Sequence, residues 1–206
     1  MKNLNVTVET TIKGIRPLIM HNGRTTDPID PYSRAKAKLK ATKKKITPEQ
    51  FEESMAAIEF EAALYWSDTI GLYLPSDNLQ RMLLDGAKRF KLGRSMSAVI
   101  VDEEFGAPII TRGHDSLDEL KANKSLWFRK ACRIQQSKVM VTRPMIPTGW
   151  TCTFKLSIDT EFIETENVQE ILTVAGRKVG LGDWRPGAPS VPGSFGMFIV
   201  DAFNRL

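Results

Sequence analysis

Residues 150 to 158, WTCTFKLSI, alternate apolar and polar side chains without a break. A period of two puts Trp150, Cys152, Phe154, Leu156 and Ile158 on one face of an extended chain and Thr151, Thr153, Lys155 and Ser157 on the other. Such a strand needs a sheet with one buried face. Residues 4 to 13, LNVTVETTIK, repeat the pattern with Leu4, Val6 and Val8, and Gly196-Met197-Phe198-Ile199-Val200 supplies a closing strand. Helical periodicity lies between them. Ser76 is read as the cap of a helix running through about Lys91, with Leu79, Met82, Leu83 and Gly86 or Ala87 as its buried stripe. Thr165 is read as the cap of another, with Val168, Ile171, Leu172, Ala175 and Val179 on one side.

Stripped of insertions, the order is strand, helix, strands, strand, helix, strand. That is the βαββαβ split pattern of ferredoxin-like and RRM-like α+β folds. The expected organisation is one domain over 1–206, with a basic and acidic helical insertion at 22–66 and a β-rich insertion at 93–147. In the first insertion, HNGRTTDPIDPYS reads as a loop. Thr47-Pro48-Glu49-Gln50 then starts a helix with a capping-box spacing, whose apolar face is Phe51, Met55, Ile58, Ala62 and Tyr65. In the second, residues 96 to 101 and 107 to 111 read as short strands, and 127 to 143 as strand, turn, strand.

The chain lacks the Walker phosphate loop, the His-Glu-x-x-His zinc motif, a paired Cys-x-x-Cys and a Gly-x-Ser-x-Gly elbow. Its two histidines, His21 and His114, have no second His or Cys at metal spacing. No metal, cofactor or catalytic residue is therefore expected. Asp27-Pro28-Ile29-Asp30-Pro31 reads foremost as turn chemistry, since Asp bonds local backbone and Pro fixes φ. Cys132 and Cys152 each fall in an apparent strand and read as reduced core thiols. With no long apolar run and no signal-peptide pattern, the expectation is a cytoplasmic protein away from membranes.

The net charge of +5 matters less than its distribution. Residues 34 to 45, RAKAKLKATKKK, contain Arg34, Lys36, Lys38 and Lys40 among seven cations and no acid. The stretch 49 to 61 holds Glu49, Glu52, Glu53, Glu59 and Glu61. The basic block suits a polyanion, or the acidic helix of a second copy. Lys88, Arg89 and Arg94 cluster at the C-terminal end of the Ser76 helix, where they complement its dipole or meet phosphates. In the loop from Gly180 to Gly196, glycines permit close backbone approach and N–H groups that cradle anions. Trp184 beside Arg185 offers one stacking surface and one cation.

Three segments together resemble the RAMP superfamily of CRISPR systems, particularly its crRNA-backbone subunits. They are Arg16-Pro17-Leu18-Ile19-Met20 closing the first strand, Tyr73-Leu74-Pro75-Ser76-Asp77-Asn78-Leu79 entering a helix, and Gly180-Leu181-Gly182 followed by Gly193-Ser194-Phe195-Gly196-Met197-Phe198. Asp77 replaces a small residue, and Asp183 to Pro192 stretch the glycine loop. The chain is also short for a backbone subunit, which suggests a stand-alone relative from a phage or mobile element. The resemblance implies an RRM-like core that grips a single strand largely independently of sequence and assembles along it as a homo-oligomer or filament. Carried over, His21 and Arg24, then Lys88, Arg89 and Arg94, then Trp184 and Arg185 would contact the strand. The run from Arg34 would be a finger over bases or onto the next subunit. Some family members cut RNA with an aspartate in a loop after the first strand, a place Asp27 or Asp30 would take.

Three readings follow. The first is sequence-independent binding of single-stranded RNA or DNA without catalysis. The second is a metal-dependent or acid–base endoribonuclease. The third is a structural subunit whose basic block meets an acidic helix on another copy.

Overall fold

The computed structural model describes residues 5–111, 116–134 and 137–206, so His114 lies outside it. In chain order the strands are β1 (Asn5–Gly14), β2 (Leu18–Ile19), β3 (Trp66–Ser67), β4 (Gly71–Pro75), β5 (Val99–Val101), β6 (Gly106–Ile110), β7 (Trp127–Ile134), β8 (Ser137–Ile146), β9 (Thr151–Asp159) and β10 (Phe198–Arg205). The α-helices are α1 (Pro31–Thr42), α2 (Pro48–Ala63), α3 (Ser76–Ala87), α4 (Leu117–Ala122) and α5 (Thr165–Lys178). They form two compact units, one from Met1–Ile19, Trp66–Gly113 and Ile146–Leu206, the other from Met20–Tyr65 and His114–Met145.

The first unit is built on a sheet ordered β10-β1-β9-β6-β4-β3, with β5 also paired to β9. The pairings along β10, β1, β9 and β5 or β6 are antiparallel. With α3 ahead of β5 and α5 ahead of β10, this is the 4-1-3-2 strand order of a βαββαβ core. The alternation sets the register. Val8 stands opposite Leu156 and Ile12 opposite Cys152, and all four are fully buried. Helices α3 and α5 add Leu79, Met82 and Leu83, and Val168, Ile171 and Leu172. Each such side chain contributes about 1.5–3 kcal/mol of burial. Burial, aided by the Glu103 charge, pushes the Cys152 thiol up to about 12, and both cysteines are free.

Local details differ from the sequence reading. β5 and β6, read as part of an insertion starting at 93, belong to this sheet. Ser76 does not cap α3. Pro75 occupies that position without a side-chain bond, and the Ser76 hydroxyl donates to the Glu103 carbonyl at 2.6 Å, tying the helix start to the β5–β6 turn. Glu164, not Thr165, stands at the N-cap of α5 and makes no side-chain cap bond.

The second unit holds α1, α2, α4 and the β7–β8 hairpin, whose ladder runs from Trp127↔Pro144 to Ile134↔Ser137. Thr47 and Gln50 close the expected capping box on α2 at 3.2 and 3.1 Å. The buried face of α2 is Phe51, Ala56, Phe60, Ala62 and Ala63, while Met55 and Ile58 are half-buried. The face is wider than the sequence stripe because α2 has several neighbours. It packs on α1 and α4, and Phe60 stacks on Trp127 of β7 with centroids 4.9 Å apart. The basic run, expected as a finger, is largely the helix α1. Asp30 caps it by accepting from the Tyr32 N–H at 2.8 Å, and Pro31 fills the first turn.

Candidate nucleic-acid interface

Helix α1 divides its cations between two sides. Tyr32 and Leu39 are half-buried on the inner side, where the Lys36 ammonium meets the Glu59 carboxylate at 3.0 Å. Arg34, Lys38 and Lys40 are exposed on the outer side. Further on, Lys43 lies over the Phe51 ring, 5.0 Å from its centroid, and Lys44 and Lys45 are exposed.

The acids of α2 are used inside the same unit. Glu59 takes Lys36, Glu61 takes Lys121 at 3.2 Å, and Glu52 takes Arg129 at 3.0 Å. Glu49 and Glu53 remain exposed in the first turns, where the helix dipole favours them. Arg34, Lys38, Lys40, Lys44 and Lys45 consequently have no acidic partner among the described residues.

Arg24 is already engaged. Its Nε donates to Asp30 Oδ2 at 2.8 Å, and its guanidinium covers the Tyr32 ring at 4.7 Å. Desolvation pushes the Asp30 carboxyl up, but the bonds from Arg24 and from the Tyr32 and Ser33 N–H groups outweigh it and hold the carboxyl below its ordinary value. Asp27 Oδ1 accepts the Ile29 N–H at 3.0 Å. Both aspartates thus shape the turn and cap α1.

In the first unit the cations after α3 are also partly occupied. Lys88 pairs with Asp85 at 2.8 Å, and Arg89 donates to the Lys178 carbonyl at 3.2 Å. Burial raises the Asp85 carboxyl, yet the bonds from Lys88 and Arg81 bring it below its usual range. Arg94 borders an open groove of about 450 Å³ beside Arg81 and Gln80.

The glycine loop is used by the protein itself. The N–H groups of Leu181, Asp183, Gly187, Gly193, Phe195 and Gly196 donate to the carbonyls of Gly196, Ile19, Val179, Arg185, Trp184 and Pro17. Gly182 and Gly196 have φ of +73° and +64°, and a Cβ on either would run into the carbonyl of Ile19 or Leu181. Close approach is therefore required, but by the chain to itself. Trp184 is half-buried with φ of +50°, and Arg185 donates to the Gly182 carbonyl at 3.0 Å.

The sheet's outer surface carries no stacking platform on its two central strands. The residues of β1 and β9 alternating with the core are Thr7, Glu9, Thr11 and Lys13, and Thr151, Thr153, Lys155 and Ser157. Thr11 and Thr153 share a hydroxyl hydrogen bond of 2.8 Å.

Two residues were not among the sequence's site candidates, Glu59 counting only as one of the acidic stretch. Glu59 and Arg143 meet Lys36 and His21 around a cavity of about 110 Å³ in the second unit. Arg143 Nη2 lies 3.2 Å from His21 Nε2. Arg143 stands before a proline near the end of a strand, and nothing in its neighbourhood announces a site.

Strand order, helix placement and the second unit define an α+β protein with an RRM-like core. No family model and no curated protein matches the chain. Among solved structures it is similar to a chain of a complex described as "Cryo-EM structure of the Type III-B Cmr-beta bound to cognate target RNA", with a TM-score of 0.52 and 10% identity. The match covers 98% of this chain and 61% of that one, so this chain spans less than two thirds of its neighbour's length. At that identity the likeness is one of fold.

Proposed function

We propose that the chain binds single-stranded nucleic acid, chiefly through phosphate contacts made by the outer face of α1. One observation carries this reading: among the described residues, α1 and the turn after it keep six cations, Arg34, Lys38, Lys40, Lys43, Lys44 and Lys45, without acidic partners although an acidic helix lies beside them. Like charges at i,i+4, such as Arg34 and Lys38, cost about 0.2–0.5 kcal/mol per pair. A polyanion offsets that cost and releases counterions from the strand. The absence of aromatic side chains on the outer surface of β1 and β9 favours backbone contact over base stacking, hence little sequence preference. The likeness to a chain from an RNA-bound complex supports RNA as the first strand to test; assembly of several copies along that strand is part of the proposal.

The interaction-module reading loses support because Glu52, Glu59 and Glu61 are engaged within their own unit. The endoribonuclease reading finds Asp27 and Asp30 engaged in turn and cap bonds. The test is fluorescence anisotropy on labelled single-stranded RNA and DNA across a salt series. Affinity should fall linearly on a log–log plot, by about 0.7 in slope for each phosphate contacted. Salt-independent binding, or none, refutes the proposal. Intact RNA after incubation with magnesium separates binder from nuclease.

A further inference from the structure

We infer that the small cavity of the second unit, between His21, Lys36, Glu59 and Arg143, is a seat for one phosphate group. This rests on the strand-binding reading and deepens it by naming where a single phosphate is held. Four separate segments converge there: the stretch after β2, then α1, α2 and β8.

Size limits the occupant. At about 110 Å³ the cavity is well below the roughly 300 Å³ at which drug-sized ligands begin to fit, so it admits a tetrahedral oxyanion but no nucleoside. Charge selects the sign. Lys36 and Arg143 bring two positive charges and Glu59 one negative, leaving a surplus before His21 is counted. Glu59 is held in place by two bonds: Oε1 faces Lys36 at 3.0 Å and Oε2 accepts the Thr142 N–H at 2.9 Å. It thereby positions the ammonium on one wall. The Arg143 guanidinium is set on another, with Nη1 on the Thr142 carbonyl at 3.1 Å and Nη2 against His21 Nε2 at 3.2 Å. A guanidinium can turn part of its planar fork of donors toward an oxyanion without leaving these partners.

The His21 end is preorganised. Its carbonyl accepts the Tyr65 hydroxyl at 2.9 Å, and the Asn22 amide donates to the Leu64 carbonyl at 3.2 Å. Ligand binding therefore has little loop ordering to offset. Because Lys36 shares α1 with Arg34, Lys38 and Lys40, one seated phosphate would fix the register of a strand whose neighbouring phosphates follow the outer cations.

The test uses the full chain and inorganic phosphate, read by the histidine ring resonances in long-range ¹H–¹⁵N spectra. Only two histidines exist, so His114→Gln assigns them. Phosphate should shift the His21 signals saturably, while sodium chloride of equal ionic strength should not. Arg143→Gln should weaken that response about tenfold or more, and Arg143→Lys by less. If Arg143→Gln fails to fold, as judged by far-UV circular dichroism, His21→Gln takes its place, with ³¹P line broadening of phosphate as the readout. It should weaken phosphate binding too, because the exposed ring is a wall of the seat and not part of the core. A silent His21, an equal response to chloride, or unchanged binding in the variants overturns the inference. Salt-dependent oligonucleotide binding with a silent His21 would remove the seat and leave the strand reading intact. Phosphate binding without oligonucleotide binding would do the reverse.

Discussion

The glycine loop at 180–196 and helix α1 both offer what an anionic strand needs, and the fold treats them oppositely. In the loop, N–H groups from Leu181 to Gly196 close on the chain's own carbonyls, and Arg185 bonds back to Gly182. On α1, the inward Lys36 finds an acid while the outward cations find none. A backbone N–H has a single hydrogen, so one already satisfied inside the protein must lose that bond to make another and adds little to binding. A solvated cation gives up only water and gains counterion release from the strand.

That contrast can be broken most sharply at Gly196. Gly196→Ala places a Cβ against the Leu181 carbonyl at a φ of +64°, and should destabilise the first unit by about 3 kcal/mol or more. Urea unfolding reads the loss; wild-type stability would mean the loop is not the internal clasp described. Next, replacing Arg34, Lys38 and Lys40 together by Gln should weaken oligonucleotide binding about thirtyfold and flatten the salt slope by about 2. Arg185→Ala should change affinity less than about threefold, since its guanidinium is engaged. Comparable losses from both would erase the distinction between the regions. Thr47→Ala removes the capping box beneath the basic run and should cost about 1 kcal/mol by the same unfolding assay.

The smallest effect is a pH dependence. The folded Asp30 carboxyl lies below the ordinary 3.8. Its ionised form is therefore favoured by folding, and that contribution is complete above about pH 4 and lost as the pH falls through the folded value. Asp30→Asn should lower stability slightly at neutral pH, where the carboxylate contribution is complete, and converge with the wild type at low pH, giving a shallower acid limb. An identical acid limb would mean that the Arg24 and Tyr32 bonds carry no net stability.

Much of the first unit was legible because its signals are local. The alternation of β1 and β9 and the stripes of α3 and α5 each lie within one segment, and each dictates a buried face. Signals that depend on a distant partner were misread. Ser76 has the composition of a cap, but the Glu103 carbonyl offers its hydroxyl a better place. The sequence stripe on α2 marks a single apolar face, whereas α1, α4 and β7 pack around the helix. Among the site candidates, Lys36 and Arg34 look alike in sequence. Only the packing of α1 on α2 turns one toward Glu59 and leaves the other in water.

What the sequence determined by itself was the periodicity of each element, the order strand, helix, strands, strand, helix, strand, and the presence of an acid-free basic run. These follow from side-chain spacing along a single stretch of backbone. The tertiary structure alone decided which polar groups were already satisfied. It closed the glycine loop on itself, used the α2 acids within their own unit, and brought His21 and Arg143 to 3.2 Å across more than a hundred residues of chain. Hydrogen bonds and ion pairs are set by distance in space, which no local spacing encodes.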